Sequence, residues 1–344
     1  MVQTPIVTKH WPQAKTIFYY QPEWLDMISK LYGYQLLELT THDDNGDLTG
    51  WLPLFLMHSP LTGKRLVSLP FSDYCPLQAS NETAANDLLQ QAQSAAREHR
   101  VRYLELRTGH HTTPAQADEL VAVDDLYVRW LLPLATDEDT MWSQLRKPVQ
   151  HQIKKSRKTG VQVRVAQQRE DMLQYYHLHL LTRTKKHGMP AQPQRFFLEL
   201  WDRFASQQKI TLLLAEYQEQ CIAGMILLRS DKTIQYAYGA SDDHYLHLAP
   251  NNLLMWNTII QGITQGCTTL DMGRTAYANE GLMEYKRRWG AHKEPLTYYY
   301  YPAQNGLAST SEQSWKFHLL TSCWRRLPLQ IAGPLGGKLY HHLG

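Results

Sequence analysis

The fold is decided by residues 234–290, which read IQYAYGASDDHYLHLAPNNLLMWNTIIQGITQGCTTLDMGRTAYANEGLMEYKRRWG. Strand and helix periodicities alternate along this stretch. They predict a strand (Ile234 to Gly239), a polar turn (Ala240 to Ala249), a helix (Pro250 to about Gln265), a strand (Thr268 to Met272) and a helix that ends at Trp289-Gly290. Proline suits the first helical turn, where its missing N–H would have no partner, and Gly266 suits the left-handed residue that closes a helix. The alternation favours an α/β fold.

The second predicted strand ends in Asp271-Met272-Gly273-Arg274. A carboxylate, a flexible backbone and a guanidinium therefore meet where a strand ends, which is where open α/β sheets usually place ligands. We expect the chemistry of the protein at this point.

The composition is that of a globular protein large enough for two domains, with 344 residues, 43% of them hydrophobic and 19% charged. No apolar run approaches the roughly 20 residues of a membrane-spanning helix. The first residues lack the apolar core of a signal peptide, so we predict a cytoplasmic protein, with the inner face of the membrane as an alternative.

The two halves of the chain repeat one order of elements. The first half predicts a helix (Pro22 to Leu31), a hairpin turning at Asn45-Gly46, a third strand, an aromatic loop (Pro70 to Pro76), a long helix capped by Asn81 or Thr83, and a strand from Val101 to Leu106. Such a long repeat unit indicates a duplicated domain rather than a solenoid. We predict domains at 1–135 and 136–302, each a mostly antiparallel sheet flanked by helices. A tail at 303–344 has an amphipathic helix from Ser314 to about Arg326 and a Gly/Pro-rich end at Gly333 to Gly337.

Five motifs together resemble those of FemAB-like proteins in the GNAT acyltransferase superfamily, most closely the subgroup associated with envelope polysaccharide and exosortase loci. They are Leu69-Pro70-Phe71-Ser72-Asp73-Tyr74, Tyr103-Leu104-Glu105-Leu106-Arg107, Pro250-Asn251-Asn252-Leu253-Leu254-Met255-Trp256, Asp271-Met272-Gly273-Arg274-Thr275 and Tyr285-Lys286-Arg287-Arg288-Trp289-Gly290. The resemblance extends from about Trp24 to Tyr301.

The resemblance implies tandem GNAT-type domains that transfer an acyl or aminoacyl group to an amine. The donor is aminoacyl-tRNA in the Fem enzymes, which act on a peptidoglycan precursor, and acyl-CoA in related members; no tightly bound cofactor is implied. The family's acyl-transfer lysine corresponds to Lys286. GNAT enzymes hold the CoA pyrophosphate with a glycine-rich turn at a helix N-terminus. Here that segment, Gly239 to Ala249, carries two acids and lacks the glycine pattern, which disfavours CoA.

Each candidate catalytic residue also has a structural interpretation. Acyl transfer needs its oxyanion stabilised, by Lys286 as a cation and by Tyr238 or Ser241 as hydrogen-bond donors; Lys286 could instead lie on a solvated helix face, and Tyr238 in the core. Asp271 could orient the amine or accept its proton, or else pair with Arg274 or cap the next helix.

The candidate binding residues are Arg274, Ser241, Asn252, Asp73, Tyr74, Arg146, Lys154, Lys155 and Arg157. The planar guanidinium of Arg274 suits phosphate or carboxylate. Asp73 and Tyr74 are candidates for acceptor contact or a structural turn, and Asn252 for donor binding or capping. The basic segment around Lys154 suits a phosphate-bearing partner, including tRNA, better than DNA, or is a solvated helix. His110-His111, His177/His179 and His341-His342 lack partners at ligand spacing, so we predict no metal site.

The sequence thus predicts an acyltransferase that acts on a small-molecule, lipid-linked or nucleotide-linked envelope precursor. The alternative is a non-catalytic binding or scaffold protein of envelope polysaccharide assembly that keeps the fold. The C-terminal helix packs on the protein or, as a second alternative, contacts a membrane surface.

Overall fold

The computed structural model describes residues 17–109, 119–302 and 315–342. These residues divide into two compact units: residues 17–109, 119–128, 295–302 and 341–342 form the first, and residues 129–294 and 315–340 form the second. The units divide after Val128 and before Pro295, not at the predicted boundaries 135/136 and 302/303. A division into compact units does not show where a duplicated segment begins or ends, so the boundaries of the duplicated domains stay a prediction.

The described residues contain ten α-helices and twelve strands. In chain order they are α1 (Pro22–Tyr32), β1 (Gln35–His42), β2 (Leu48–Ser59), β3 (Gly63–Val67), β4 (Gln78–Ala79), α2 (Glu82–Glu98), β5 (Tyr103–Leu106), β6 (Val121–Pro133), α3 (Glu138–Gln144), α4 (Lys147–Lys158), β7 (Gln162–Val165), α5 (Asp171–Leu180), α6 (Gln194–Phe204), β8 (Ile210–Tyr217), β9 (Gln220–Ser230), β10 (Thr233–Ser241), α7 (Pro250–Thr264), β11 (Thr269–Ala276), α8 (Glu280–Arg288), β12 (His292–Tyr301), α9 (Trp315–Arg326) and α10 (Leu329–Tyr340). Leu181–Lys186 continues α5 as a π-helical segment, and Asp243–Leu248 forms a 3-10 helix.

The first unit is a mostly antiparallel sheet in the order β1-β2-β3-β5-β12, with β4 beside β2. β1 and β2 form the predicted hairpin, and β3 runs parallel to β5. Leu88, Leu89 and Ala92 of α2 belong to the same buried cluster as Leu52 and Leu54 of β2. The predicted cap of α2 is confirmed at Asn81, whose Oδ1 accepts a hydrogen bond from the Ala84 N–H at 2.8 Å. Local turn and capping chemistry therefore set this part of the fold as expected.

The second unit repeats the arrangement, with strand order β11-β10-β9-β8-β7. Strands β7 to β10 are antiparallel neighbours, and β10 runs parallel to β11. Helix α7 lies between the two parallel strands in sequence and is buried along its apolar positions, including Leu254, Met255 and Trp256. The predicted fold class is confirmed: mostly antiparallel sheets flanked by helices, with helices at the C-terminal end.

One strand boundary predicted from the sequence was wrong: β11 does not end at Met272 but continues to Ala276, so Gly273 and Arg274 lie within a strand. The tyrosine-rich segment before Pro302, which the sequence placed in the second domain, is the end of β12 and pairs with β5 of the first unit. The Gly/Pro-rich end of the tail is helix α10. In each case a neighbouring element supplies contacts that the local sequence does not reveal.

Candidate functional site

The two parallel strands of the second unit diverge. Registered pairing between β10 and β11 comprises Thr233↔Thr269, Ile234↔Leu270 and Gln235↔Asp271. The pairing of these two fully described strands ends at Gln235↔Asp271, although β10 continues to Ser241 and β11 to Ala276. A register shift against β9 between Tyr236 and Tyr238 accompanies the divergence. We call the opening bounded by residues 236–241 and 272–276 the β10/β11 wedge.

Asp271 lies at the point of the wedge and is buried. Arg129 of β6 approaches its Oδ2 with Nε at 2.9 Å and with a terminal guanidinium nitrogen at 2.8 Å. Its Oδ1 accepts a hydrogen bond from the Gly273 N–H at 2.8 Å. The structure thus supplies Arg129 as an ion-pair partner, whereas the sequence had suggested Arg274. No sequence signal identifies Arg129, since 142 residues separate the pair.

Lys286 is the buried residue of α8, with only 3% of its surface exposed. Its Nζ donates hydrogen bonds to the carbonyl oxygens of Gly273 at 3.0 Å and Arg274 at 3.1 Å. The neighbouring Arg287 and Arg288 are exposed, so the run of three cations is split between two environments. The alternative that Lys286 lies on a solvated helix face is therefore wrong.

Asp271 and Lys286 meet at one residue, Gly273. The carboxylate accepts the Gly273 N–H, and the ammonium binds the Gly273 carbonyl. Gly273 has a φ of +73°, a left-handed conformation that glycine adopts without the strain of a Cβ. Three of the residues singled out in the sequence, Asp271, Arg274 and Lys286, are therefore brought together along the same edge of the wedge, Arg274 through its carbonyl oxygen.

Tyr238 and Tyr236 form the β10 side of the site. The Tyr238 ring packs edge-on against Phe196 and Phe197 of α6, with ring centroids 5.7 Å from each. Burial raises the pKa of Tyr236 to about 12. The phenol therefore stays protonated at neutral pH and is a hydrogen-bond donor rather than a base. A catalytic role for Tyr238 stays a prediction.

Gly239 is expected to be intolerant of any side chain. A Cβ built on Gly239 would lie 1.9 Å from the Tyr236 hydroxyl oxygen and 2.7 Å from the ring carbon that bears it. Gly239→Ala should therefore displace Tyr236 and lower the free energy of unfolding by about 1–3 kcal/mol. Urea titration measures this loss. The added change Tyr236→Phe removes the nearest atom and should recover part of it; no recovery would show that the strain lies elsewhere.

The segment between β10 and α7 is closed by its own side chains. Asp242 caps the 3-10 helix, accepting the His244 N–H at 3.0 Å, and Asp243 pairs with Lys186 at 2.9 Å. The Ser241 N–H donates to the Thr182 hydroxyl at 3.1 Å, and the Asn251 amide donates to the Ser241 hydroxyl at 3.3 Å.

Asn252 lies in the first turn of α7, where its N–H donates to the Ala249 carbonyl at 3.1 Å. This bond is made by the backbone, so both roles of the Asn252 side chain, donor binding and capping, stay predictions. The segment between β10 and α7 thus carries the carboxylates of Asp242 and Asp243 at the place where a pyrophosphate would need hydrogen-bond donors.

Asp73 and Tyr74 lie in a loop of the first unit that is held by neighbouring side chains. The Tyr298 hydroxyl donates to the Asp73 carbonyl at 2.7 Å. Arg107 donates to the Ser72 carbonyl and to the Glu105 carboxylate, each at 2.7 Å. These contacts favour the structural interpretation of the loop, and an acceptor contact stays a prediction.

Helix α4 presents the basic segment to solvent. The exposed cations are Arg146, Lys147, Lys154, Lys155, Arg157 and Lys158. Lys154 lies over the Trp142 ring, 5.7 Å from its centroid. A hydrogen bond from Arg288 is the main cause that lowers the pKa of Glu284, with smaller contributions from nearby cations that include Arg146. The N-terminal end of α4 is thus near α8, the helix that carries Lys286.

Metal ligands do not converge within the described residues: no three His, Cys, Asp or Glu side chains are placed to share an ion. His179 is buried and hydrogen-bonded to Gln192 at 2.8 Å, and His110-His111 lie outside the described residues.

Among the helices in the described ranges, none combines the length and apolar character needed to cross a membrane.

Residues 143–287 match the model of the Acetyltransferase (GNAT) domain family. The matched segment contains both strands of the wedge and extends just past Lys286. This part of the chain is therefore similar to a GNAT domain, and the similarity supports an acyltransferase. No curated protein sequence matches the chain.

Several solved structures share the fold. FemX aligns with a TM-score of 0.65 and 16% identity, covering 85% of this chain and 93% of FemX. The C-terminal domain of a putative lysylphosphatidylglycerol synthetase from Agrobacterium fabrum aligns with a TM-score of 0.57 and 12% identity, covering 82% of this chain and 89% of that one. L-PGS from Bacillus licheniformis also has a TM-score of 0.57 and 12% identity, covering 92% and 98%. The chain thus shares its fold with these proteins.

Proposed function

We propose that the protein transfers an aminoacyl or acyl group directly to an amine of a cell-envelope precursor. The observation that carries this proposal is the buried Lys286 ammonium, fixed on the backbone of β11 at the wedge of a GNAT domain. A buried cation fixed in this way is suited to stabilising negative charge that develops on a reacting oxygen.

The reaction is a single acyl transfer. The neutral amine of the acceptor attacks the carbonyl carbon of the donor, a C–N bond forms, and the carbon's bond to the donor oxygen or sulfur breaks. The amine loses a proton, and the departing oxygen or sulfur gains one. Lys286 would stabilise the oxyanion of the tetrahedral intermediate, and the Tyr238 hydroxyl would donate a hydrogen bond to it.

Asp271 is better suited to positioning than to proton transfer. Its two oxygens are already bound, Oδ2 by Arg129 and Oδ1 by the Gly273 N–H. We propose that Asp271 fixes the Gly273 peptide, and through it the carbonyl that binds Lys286. Asp271→Asn keeps an acceptor for the Gly273 N–H and should therefore retain much of the turnover, whereas a base would not tolerate the change.

The charge distribution favours aminoacyl-tRNA over acyl-CoA as the donor. Asp242 and Asp243 occupy the turn that would hold a pyrophosphate, whereas residues 146–158 carry six exposed cations. Arg288 is the main cause that lowers the pKa of Glu284 on α8, and Arg146, one of these six, contributes. A surface of this kind suits a polyphosphate chain such as the tRNA backbone. We propose that Arg146, Lys154, Lys155 and Arg157 contact donor phosphates, while Arg274 and Asn252 bind nearer the wedge.

The acceptor we propose is an amine on a peptidoglycan, lipid-linked or nucleotide-linked intermediate. Its support is the motif resemblance to FemAB-like proteins and the fold shared with FemX and a putative lysylphosphatidylglycerol synthetase. Asp73 and Tyr74 stay candidates for acceptor contact. The envelope role and a location at the cytoplasmic face of the membrane are parts of the same proposal.

A thermal-shift screen tests the proposal. The protein is mixed separately with acyl-CoAs, aminoacyl-tRNAs and nucleotide-sugar precursors, because a ligand bound only by the folded state raises its melting temperature. We expect stabilisation by an aminoacyl-tRNA, followed by transfer of the labelled amino acid to an amine acceptor. Stabilisation by acyl-CoA alone would reassign the donor. Binding of a precursor without any transfer would favour the alternative, a non-catalytic protein of envelope assembly, which the closed phosphate turn also favours.

Donor affinity is expected to depend on salt. Each contact between a cation and a phosphate releases counterions when it forms. Removing four such cations should therefore weaken binding and reduce the slope of log K against log salt concentration by roughly three. The variant is Arg146→Ala/Lys154→Ala/Lys155→Ala/Arg157→Ala, measured by fluorescence titration with aminoacyl-tRNA at several salt concentrations. Lys232→Ala/Lys293→Ala, two exposed lysines elsewhere in the second unit, is the control. Unchanged affinity and slope in the first variant would exclude α4 from donor binding.

A further inference from the structure

Helix α10 has two opposite faces of different character. Ala332, Gly333 and Gly336 are buried on one face. On the other, Ile331 and Leu335 lie one turn apart with exposed fractions of 53% and 41%. Both are among the few large hydrophobic side chains that the described residues expose. Two large apolar side chains of α10 therefore point to solvent.

The buried face fixes the helix tightly on the second unit. A Cβ at Gly336 would lie 3.0 Å from the backbone nitrogen of Ala191, and one at Gly337 would lie 3.0 Å from Cβ of Pro193. A Cβ at Gly333 would approach Leu180 of α5 at 3.5 Å. The small residues thus let α10 lie close to the surface beneath it. The exposure of Ile331 and Leu335 follows from this fixed orientation and not from a loosely held helix.

Positive charge surrounds the apolar pair. Lys338 is exposed on the same stripe as Ile331 and Leu335, and Arg326 is exposed at the end of α9. Residues 313–344 contain four Lys and Arg residues and no Asp or Glu. Lys185 adds a further cation, since its Nζ binds the Arg325 and Leu327 carbonyls at the end of α9. An apolar stripe bordered by cations suits the surface of an anionic membrane, where the hydrocarbon of the acyl chains lies below negatively charged headgroups.

We propose that the exposed face of α10, formed by Ile331, Leu335 and Lys338 with Arg326 of α9, docks on an anionic lipid surface. Ile331 and Leu335 insert between the acyl chains, and Lys338 and Arg326 bind headgroup phosphates. The sequence had offered α9 as the membrane-contacting helix; the structure assigns the contact chiefly to α10. This inference does not depend on the proposed reaction, because the surface could anchor a catalytic or a non-catalytic protein.

Vesicle sedimentation tests the docking. The full-length protein is incubated with vesicles of phosphatidylcholine alone, or with about one third phosphatidylglycerol added, at low and high salt. The wild type should bind the anionic vesicles and lose most of this binding at high salt. Ile331→Asp/Leu335→Asp should lower the partition coefficient at least about tenfold, since two inserted side chains become charged. Arg326→Glu/Lys338→Glu should lower it by a similar factor.

Two matched controls accompany these variants. Leu61→Asp changes an exposed leucine of the first unit, and Lys232→Glu/Lys293→Glu reverses two exposed lysines away from α10. Both should bind vesicles as the wild type does, and melting temperatures should show that every variant is folded. Absence of wild-type binding to anionic vesicles, or wild-type binding by Ile331→Asp/Leu335→Asp, would overturn the proposal. So would a concentration-dependent dimer that this variant disperses, because a second copy would then cover the face.

Discussion

Lys286→Met is expected to lower turnover by about 100-fold or more. Methionine nearly preserves the side-chain volume but removes the charge that we place next to the reacting carbonyl. The carbonyls of Gly273 and Arg274 lose a donor as well, so we also expect the free energy of unfolding to fall by about 1–3 kcal/mol. Steady-state kinetics with the donor identified by the thermal-shift screen, together with urea unfolding, separate the two effects.

The control for this experiment is a variant that loses stability without touching the wedge. Leu88→Ala removes a fully buried side chain from the core of the first unit and should cost about 2–5 kcal/mol. Its turnover per folded molecule should remain near that of the wild type. If Lys286→Met were as active as Leu88→Ala, the ammonium would have only a structural role. Lys286→Ala is less informative, because it adds a cavity to the loss of charge.

Arg129→Met is expected to lower the free energy of unfolding by about 3–5 kcal/mol, because it leaves the buried Asp271 carboxylate without this cation. The exposed side-chain fractions are 19% for Arg129 and 7% for Asp271, so water replaces little of the lost interaction. Unfolding in urea at neutral pH measures the change. The additional change Asp271→Asn removes the buried charge but keeps an acceptor for Gly273, and it should restore part of the loss.

An exposed ion pair in the same unit provides the comparison. Nε of Arg169 lies 2.8 Å from Oδ1 of Asp202, and the exposed side-chain fractions are 47% and 46%. Arg169→Met should therefore change the free energy of unfolding by at most about 1 kcal/mol. Equal losses for Arg129→Met and Arg169→Met would contradict the view that burial makes the Arg129–Asp271 pair important.

The effect of Asp271→Asn on catalysis should show which of two roles this carboxylate has. If Asp271 positions the Gly273 peptide, Asp271→Asn lowers turnover only modestly and leaves its pH profile unchanged. If Asp271 accepts the proton of the amine, the same variant loses turnover about as severely as Lys286→Met does. Measuring turnover against pH for both variants therefore distinguishes positioning from proton transfer.

The sequence by itself determined the parts of the fold that depend on neighbours along the chain. The Asn45-Gly46 hairpin, the Asn81 cap and the Pro250 and Gly266 ends of α7 follow from turn and capping chemistry that acts over a few residues. The order of these elements, together with the motifs, was sufficient to predict the fold class, and the motif resemblance nominated Lys286 as a candidate.

Only the tertiary structure decided which environment each side chain occupies. Arg129 pairs with Asp271 across 142 residues, and Lys286 is buried while Arg287 beside it is exposed, because strand pairing and helix packing bring distant segments together. Helix α10 likewise forms from a Gly/Pro-rich segment because its glycines allow close packing against Ala191 and Pro193. Local propensity is a weak preference that such contacts override, and for this reason the sequence could nominate the residues of the site but not their partners.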